Sequence, residues 1–366
     1  MKALAGSVIG LLFILSLFSC RPATHGDGQE GDTLVFKYAE NICFVDCGDY
    51  AIASLTDPWH KGRTLHRYVL VPADKPMPAD LPEGSVVRTP LSRAIVFTTV
   101  HTALLHELGL LESIAGVADL KYIKDDTIRQ LCRTGRMTDC GNAMSPDVER
   151  IIDTRPDALL LSPFENSGGY GKLEQTGIPI IECAEYMEPT ALGRAEWMRF
   201  YGRLFGQGGR ADSVFATIDR HYQHIRNTAR KRPNKVLVDK VTGSVWYVPG
   251  GRSTMAQLIR DAGGHYAFAD NDQSGSVALS FETVLSRASD ATVWIYRYNG
   301  QENLTSEHAG YDQFQAFQTG NVWGCDVGGT RFYEETPFHP DRLLEEFANI
   351  IGSTGKPTRY FFKTNP

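Results

Sequence analysis

Short apolar segments typical of strands alternate in this chain with segments that carry the periodicity or the end signals of helices. Between residues 94 and 181, strands are predicted at 94–97, 114–117, 158–161 and 178–181. A helix is predicted after the first of them, where Leu104, Leu108 and Leu111 share one face. Another is predicted from Ser145, with that serine as the N-cap and Pro146 in the first turn. This alternation predicts a parallel sheet covered by helices.

A long helical pattern separates this region from a second series of the same kind. It runs from 194 to 232 and is interrupted once, at 206–209. Its second part, 210–231, is about 33 Å long at ~1.5 Å per residue, enough to cross a small domain. Further strands and helices are predicted at 235–239, 255–262, 281–287, 292–296 and 341–351. We therefore expect an α/β protein whose two lobes, 94–193 and 233–366, have parallel-type central sheets and are joined by a single long helix, 194–232.

The first residues have the features of an export signal. The apolar run 8–18 follows Lys2 and is too short to span a bilayer. Ser19 and Cys20 close it in a pattern that resembles the lipobox at which bacterial lipoproteins are lipidated and cleaved. The resemblance implies a signal peptide at 1–19, lipidation of Cys20 and a lipid-anchored location on the periplasmic side of the cell envelope. In the alternative, the signal is an ordinary secretory one and the cysteine is incidental.

Two segments separate Cys20 from the first predicted lobe. Residues 20–33 are polar and contain glycines, as a flexible tether does. Residues 34–93 contain several strand signals broken by proline and glycine, and we expect a strand-rich extension there. The sequence pattern assigns no function to this extension.

Composition excludes some functional classes. A formal net charge of -6 argues against nucleic-acid binding, which requires a basic face. The seven cysteines include Cys20, which leaves an even number for an oxidising compartment. The pairs Cys43/Cys47 and Cys132/Cys140 are close enough in sequence to bridge, so we expect a few disulfides together with buried thiols, in a connectivity that the sequence leaves open.

Motifs of catalysis are missing from the sequence. It contains no G-x-S-x-G, H-E-x-x-H or P-loop pattern, and the G-x-G-x-x-A match at 206–211 joins two helices instead of following a strand. We therefore predict no catalytic residues, no resident cofactor and no metal site. One alternative is an exported enzyme on the same two-lobe frame, which would need acid and base groups that converge in the cleft. Another is an interaction protein whose cleft is filled by side chains.

Several segments together resemble one protein family. Residues 146–152 (P-D-V-E-R-I-I) and 155–161 (R-P-D-A-L-L-L) are similar to a stretch of the substrate-binding proteins of ABC importers for iron-siderophores, haem and cobalamin. Further segments at 102–116, 177–180, 248–251, 261–264 and 279–285 also resemble the family. All of these segments occur in the family's order and at its spacing. The resemblance runs from about residue 94 to residue 347, and identifies the chain as a member of the class III periplasmic binding proteins.

The resemblance implies a fold, a partner and a way of docking. Two lobes bridged by one helix would hold a ligand in the cleft between them, and a connecting helix resists bending, so closure should be small. The partners would be an ABC permease dimer with its ATPase subunits. The positions that match the family's docking acids are Glu149 and Glu282, one in each lobe. Two separated carboxylates that meet two basic pockets of the transporter can set the orientation in which the protein docks. We expect a monomer that carries a small-molecule metal chelate.

The ligand-binding candidates are aromatic and basic residues near predicted strand ends. Aromatic rings stack on flat ligands, and arginine donates in a fixed plane to carboxylate or catecholate oxygens. The candidates are Thr99, His101 and Tyr170 in the first lobe and Trp246, Tyr247, Arg252, Arg297, Trp323 and Arg331 in the second. Trp294 and Tyr296 could equally be core residues. His101 could line the cleft, ligate iron or cobalt, or cap its helix. Three arginines favour a ferric-siderophore over cobalamin or haem, which remain alternatives.

Overall fold

The computed structural model describes residues 31–165, 169–301 and 304–364. The predicted signal peptide, the lipidation site Cys20 and nearly all of the predicted tether lie outside these ranges. Among the residues that are described, no helix is both long and apolar enough to cross a membrane.

The residues ahead of the first lobe form a sheet of five strands. They are β1 (Asp32–Leu34), β2 (Ile42–Asp46), β3 (Ala51–Thr56), β4 (Thr64–Pro72) and β5 (Ser85–Thr89). The order is that of the chain; β1 to β4 are antiparallel, and β5 runs parallel to β4. Tyr68 of β4 donates to the Ile180 carbonyl at 3.0 Å, so this sheet is hydrogen-bonded to the first lobe.

The first lobe has a wholly parallel central sheet. Its strands are β6 (Ala94–Val96), β7 (Ile114–Val117), β8 (Thr138–Asp139), β11 (Ala158–Leu161) and β12 (Ile180–Glu182), with a separate small hairpin of β9 (Gly141–Asn142) and β10 (Ser145–Pro146). Its helices are α1 (Thr99–Glu107), α2 (Asp126–Arg133) and α3 (Val148–Thr154). The strand order is β12-β11-β6-β7-β8, so the direction of winding reverses between β6 and β11.

The start of α3 differs from the prediction. Ser145 and Pro146 belong to strand β10, and the N-cap is Asp147, whose carboxylate accepts from the Arg150 amide at 3.1 Å. An aspartate can cap as well as a serine, and here the proline pairs in the hairpin instead of opening the helix.

Three helices lie between β12 and β13 in the chain: α4 (Ala191–Glu196), α5 (Met198–Leu204) and α6 (Gly208–Thr228). The predicted long helix is α6, which spans about 32 Å at ~1.5 Å per residue. The part of the predicted helix before α6 forms the two shorter helices α4 and α5. Gly206 takes a φ of 71°, which ends α5 and separates it from α6. The predicted class, two α/β lobes with a long helix, is confirmed.

The second lobe is centred on a mixed sheet. Its strands are β13 (Lys235–Val238), β16 (His265–Tyr266), β18 (Val293–Tyr298), β19 (Val322–Asp326) and β20 (Phe362–Thr364), and a second sheet contains β14 (Val241–Thr242), β15 (Val245–Pro249) and β17 (Ser276–Leu279). Its helices are α7 (Thr254–Asp261), α8 (Phe281–Ala288), α9 (Leu304–Glu307), α10 (Gln315–Gln318), α11 (Phe332–Glu335) and α12 (Pro340–Gly352). The order is β16-β13-β18-β19-β20, with only the last strand antiparallel.

The cysteines of the described residues are free, so the disulfides that we expected are not formed there. For Cys43 and Cys47 the reason is local: Cys43 lies in β2 and Cys47 directly follows it, and four residues of extended chain separate Cα atoms by roughly 13 Å, about twice the span of a disulfide.

Candidate functional site

A cavity of about 860 Å³ opens at the carboxyl ends of the first lobe's strands. It begins at Phe97 and Thr98 after β6 and at Leu161 and Phe164 at the end of β11, which are the two strands between which the winding reverses. At such a point the loops after the two strands diverge and leave a crevice, which is where open α/β sheets bind ligands. The cavity therefore follows from the strand order.

Tyr170 and Glu149 form other parts of the cavity wall. The Tyr170 hydroxyl donates to the Glu182 carboxylate at 3.0 Å, and burial, with the Glu182 charge, raises the pKa of this tyrosine. Thr98, the N-cap of α1, lines the cavity; the predicted Thr99 is the next residue and lies half-buried in the first turn.

The winding of the second lobe reverses between β13 and β18, and an ion pair lies at that point. Arg297 near the end of β18 donates from Nε and Nη2 to the two carboxylate oxygens of Asp239, at 2.9 and 2.6 Å. Burial alone would lower the pKa of Arg297, but Asp239 outweighs it and the pKa is raised. The Arg297 side chain remains 32% exposed, so it can also reach a ligand.

Trp246 does not line a cleft, contrary to the prediction. It is fully buried, stacks on Trp294 with 5.5 Å between ring centroids and donates from Nε1 to the Val238 carbonyl. Successive residues of a strand point to opposite faces, so its neighbour Tyr247 is the exposed one, at 49%. Trp294 and Tyr296 are also buried core residues.

The remaining candidates of the second lobe make contacts with residues other than Arg297. Trp323 is the second residue of β19, away from the carboxyl end, and its Nε1 donates to Asn321. Arg252 is highly exposed and pairs with Asp272 at 3.0 Å. Arg331 pairs with Glu334 at 2.7 Å and reaches Asp125 of the first lobe at 3.5 Å, which makes it part of a contact between the lobes.

His101 is buried, not cleft-lining, since its residue is only 1% exposed. Its Nδ1 contacts the Thr98 hydroxyl, and its Nε2 lies 3.2 Å from Glu185 Oε2. Burial would lower the pKa of His101, but Cys183 and Glu185 raise it to about 10. Burial would raise the pKa of Glu185, and His101, Arg194 and Tyr201 lower it to about 2. The sequence did not reveal this charged cluster, because His101 lies in α1, whose pattern is that of an apolar face.

Both predicted docking acids are exposed and lie in the first turn of a helix. Glu282 is the second residue of α8, and its own amide and the Ser280 hydroxyl lower its pKa. Glu149 is the second residue of α3 and also borders the cavity.

Phe97, Phe164 and Asp239 belong to these two sites and were not among the candidates. Phe97 and Phe164 line the first-lobe cavity, and Asp239 pairs with Arg297. A signal was present for Asp239, since it is the last residue of the predicted strand 235–239, directly follows the observed β13, and has the left-handed φ of 61° that aspartate tolerates. The aromatic residues had no such signal, because a phenylalanine after an apolar strand is usually core.

The sequence is similar to those of known proteins. The profile of the family described as periplasmic binding protein matches residues 95–327. The uncharacterized lipoprotein MJ0878 of Methanocaldococcus jannaschii is 26% identical, with 92% of this chain and 87% of the relative covered.

Among solved structures, the catecholate-siderophore binding protein VctP of Vibrio cholerae is similar at 15% identity and a TM-score of 0.57, with 73% of this chain and 95% of that one covered. The vitamin B12 binding protein BtuF of Vibrio cholerae is similar at 17% identity and a TM-score of 0.53, with 73% of this chain and 99% of that one covered. At these identities the two likenesses show the fold. The profile match extends over more than half of the chain, which therefore belongs to the class III periplasmic binding protein family.

Proposed function

We propose that this protein is the extracytoplasmic substrate-binding component of an ABC importer, which captures a metal chelate of the ferric-siderophore type and delivers it to the inner-membrane permease. The observation that carries the proposal is the cavity of about 860 Å³ at the winding reversal of the first lobe. That volume suits a ligand of several hundred daltons, since pockets for such ligands measure roughly 300–1,000 Å³. The proposed division of the chain at 94, 194 and 233 places this cavity and Arg297 in separate lobes.

The chemistry of the two sites bears on the kind of chelate. Phe97, Phe164 and Tyr170 offer flat apolar faces in the first lobe. Arg297 offers a planar donor in the second, but Asp239 compensates its charge. The pair favours a ligand that takes directed hydrogen bonds over one with a large negative charge. Cobalamin, with its amide groups, also fits this description and is the second candidate, and haem is a third.

Direct binding tests the proposal. Isothermal titration of the full chain in detergent with a ferric catecholate, a ferric hydroxamate, haem and cobalamin should give saturable binding of one of them. Phe164→Ala and Arg297→Ala should each weaken it by tenfold or more, as expected when a contact worth about 1.4 kcal/mol is lost. Arg136→Ala, an exposed arginine paired with Glu112, is the matched control and should bind normally. Absence of binding across the panel would refute chelate capture.

Asp239→Asn separates an anionic ligand from a neutral one. The substitution keeps a side chain that tolerates the left-handed φ but releases the Arg297 charge. An anionic chelate should then bind more tightly, and cobalamin with unchanged affinity.

The proposal includes lipid anchoring at Cys20, in line with the lipoprotein named among the relatives. Radiolabelled fatty acid should be incorporated by the wild-type chain and not by Cys20→Ser. Wild-type protein without label would contradict the anchor.

A further inference from the structure

Three side chains with metal-binding atoms lie together beneath the carboxyl edge of the first lobe's sheet. His101 is in the first turn of α1, Cys183 follows β12, and Glu185 begins the 3₁₀ helix Glu185–Met187. The three residues are 1%, 0% and 2% exposed. We propose that His101, Cys183 and Glu185 bind a Zn²⁺ ion, a site separate from the chelate cavity and independent of the imported ligand.

The spacing of the three ligand atoms suits a metal ion. One imidazole nitrogen, the Cys183 sulfur and a Glu185 oxygen all lie within 4.8 Å of one another. Zinc with Zn–N and Zn–O bonds near 2.0 Å and a Zn–S bond near 2.3 Å holds tetrahedral ligands roughly 3.3–3.7 Å apart. An edge at the upper limit of 4.8 Å must therefore shorten by roughly 1.1–1.5 Å. Its His101–Glu185 edge is already 3.2 Å.

His101 Nε2 has no hydrogen-bond partner although it is buried. It forms an ion pair with Glu185 Oε2 at 3.2 Å, in a geometry that is not that of an aligned hydrogen bond. A buried polar atom in this position normally costs free energy unless something satisfies it. A cation between Nε2 and the carboxylate would satisfy both.

Neighbouring groups already hold two of the ligands in place. The Thr98 hydroxyl contacts His101 Nδ1, the ring nitrogen that would not bind the metal. The Tyr201 hydroxyl donates to Glu185 Oε2 at 2.7 Å, and its ring packs edge-on against the imidazole at 4.8 Å. Such outer contacts orient ligands at known metal sites.

Binding of Zn²⁺ leaves the buried charge unchanged. Thiolate and neutral imidazole are the ligating forms, so the ion displaces the Cys183 thiol proton and the Nε2 proton of an imidazolium, and two protons leave for one divalent cation. The charge of Arg194, which acts on Glu185, therefore has the same net charge beside it with the ion bound as without it. Sulfur among the ligands selects Zn²⁺ over the hard cations Ca²⁺ and Mg²⁺.

The test uses the full chain, produced in medium supplemented with Zn²⁺ or Co²⁺ because the site is enclosed, and purified in detergent without chelator. Wild-type protein should contain about one metal ion per chain, as one three-ligand site requires. The Co²⁺ form should show thiolate-to-metal charge-transfer absorption. Both should be lost in Cys183→Ser. Cys325→Ser is the matched control, since Cys325 is equally buried but contacts Thr330, and it should retain both.

X-ray absorption of the zinc-loaded wild type needs no variant and guards against a Cys183→Ser chain that fails to fold. One sulfur scatterer near 2.3 Å with nitrogen or oxygen near 2.0 Å supports the site. A wild type without metal, a shell of nitrogen and oxygen alone, or metal that persists in folded Cys183→Ser would overturn it.

Discussion

At the scale of single residues, the first lobe contains charges that hold each other in the interior. Glu185 interacts with His101, with Arg194 and with the Tyr201 hydroxyl. Removal of one member of such a group costs more than the group contributes, because the remaining charge stays buried without a partner.

We expect Glu185→Gln to destabilise chelator-treated protein by about 3–5 kcal/mol, since His101 and Arg194 lose their counter-charge. Urea unfolding followed by circular dichroism measures the change. Glu345→Gln, an exposed glutamate on α12, is the control and should unfold like the wild type. A loss below 1 kcal/mol in Glu185→Gln would mean that the cluster is not charged in the folded protein.

At the scale of elements, buried carboxylates accept hydrogen bonds from the backbone amides of other segments and so hold those segments in place. Glu196 at the end of α4 is 0% exposed and accepts from the amides of Lys37, Tyr38 and Ala39 at 2.7–3.0 Å. Glu346 on α12 accepts in the same way from the amides of residues 359–361. The Glu196 contacts join residues 157–159 positions apart in the chain and attach the strand-rich extension to α4.

Glu196→Gln should release the segment 37–39, because an amide has one acceptor oxygen where the carboxylate has two. We expect a loss of about 2–3 kcal/mol, from one or two amides left unsatisfied. Hydrogen exchange should quicken at 37–39 and stay unchanged in the sheet of the second lobe. Glu40→Gln, on the exposed side of the same segment, should show neither effect. Uniform acceleration over the whole chain would instead indicate global destabilisation.

At the scale of the whole described molecule, direct ion pairs connect the lobes beside α6. His339, just before α12, lies 2.7 Å from Glu107 of α1 and 3.6 Å from Asp341. Asp341 is also 2.8 Å from His221 of α6. Together with α6, these contacts oppose a wide separation of the lobes.

The same cluster predicts a pH dependence. Burial and Arg342 lower the pKa of His339, but Asp341 and Glu107 raise it above the ordinary value overall. Its contribution to stability is complete below about pH 6.5 and is lost as the pH rises through the raised value. The pKa values of Glu107 and Asp341 are lowered, against the effect of burial, chiefly by His339. Their contribution is complete above about pH 4.3 and is lost in more acidic solution.

The free energy of unfolding of the wild type should therefore exceed that of His339→Gln most between about pH 4.3 and 6.5. Urea titrations from acidic to alkaline pH measure this difference. The exposed His265→Gln is the control and should follow the wild type. If the difference in unfolding free energy between the wild type and His339→Gln grew above pH 6.5, it would contradict a charged His339 paired with Glu107 and Asp341.

Docking on the importer is best tested at Glu282. If Glu282 docks as we propose, Glu282→Lys should reduce stimulation of the importer's ATPase by tenfold or more, because the lysine would then face the basic pocket that the proposed docking requires. Glu282 is exposed and does not line the cavity, so chelate affinity serves as the internal control. Unchanged stimulation would remove Glu282 from the docking surface. Glu149 borders the cavity and cannot separate the two effects.

Local sequence determined the elements of this protein and, with them, its fold class. The strands 94–97, 114–117, 158–161 and 235–239 and the long helix were predicted within a few residues, since apolar runs, helix periodicity and glycine breaks act through neighbours in the chain. The family resemblance, which depends on the order of such segments, was predicted in the same way and is confirmed.

Tertiary structure alone decided what each side chain faces. Trp246 was expected in the cleft and is in the core, while His101 joined Cys183 and Glu185, which are more than 80 residues away in the chain. The strand order placed Asp239 against Arg297 and opened the first-lobe cavity between β6 and β11. Burial and ion pairing depend on atoms brought together from distant segments, and a pattern read along one chain does not contain those distances.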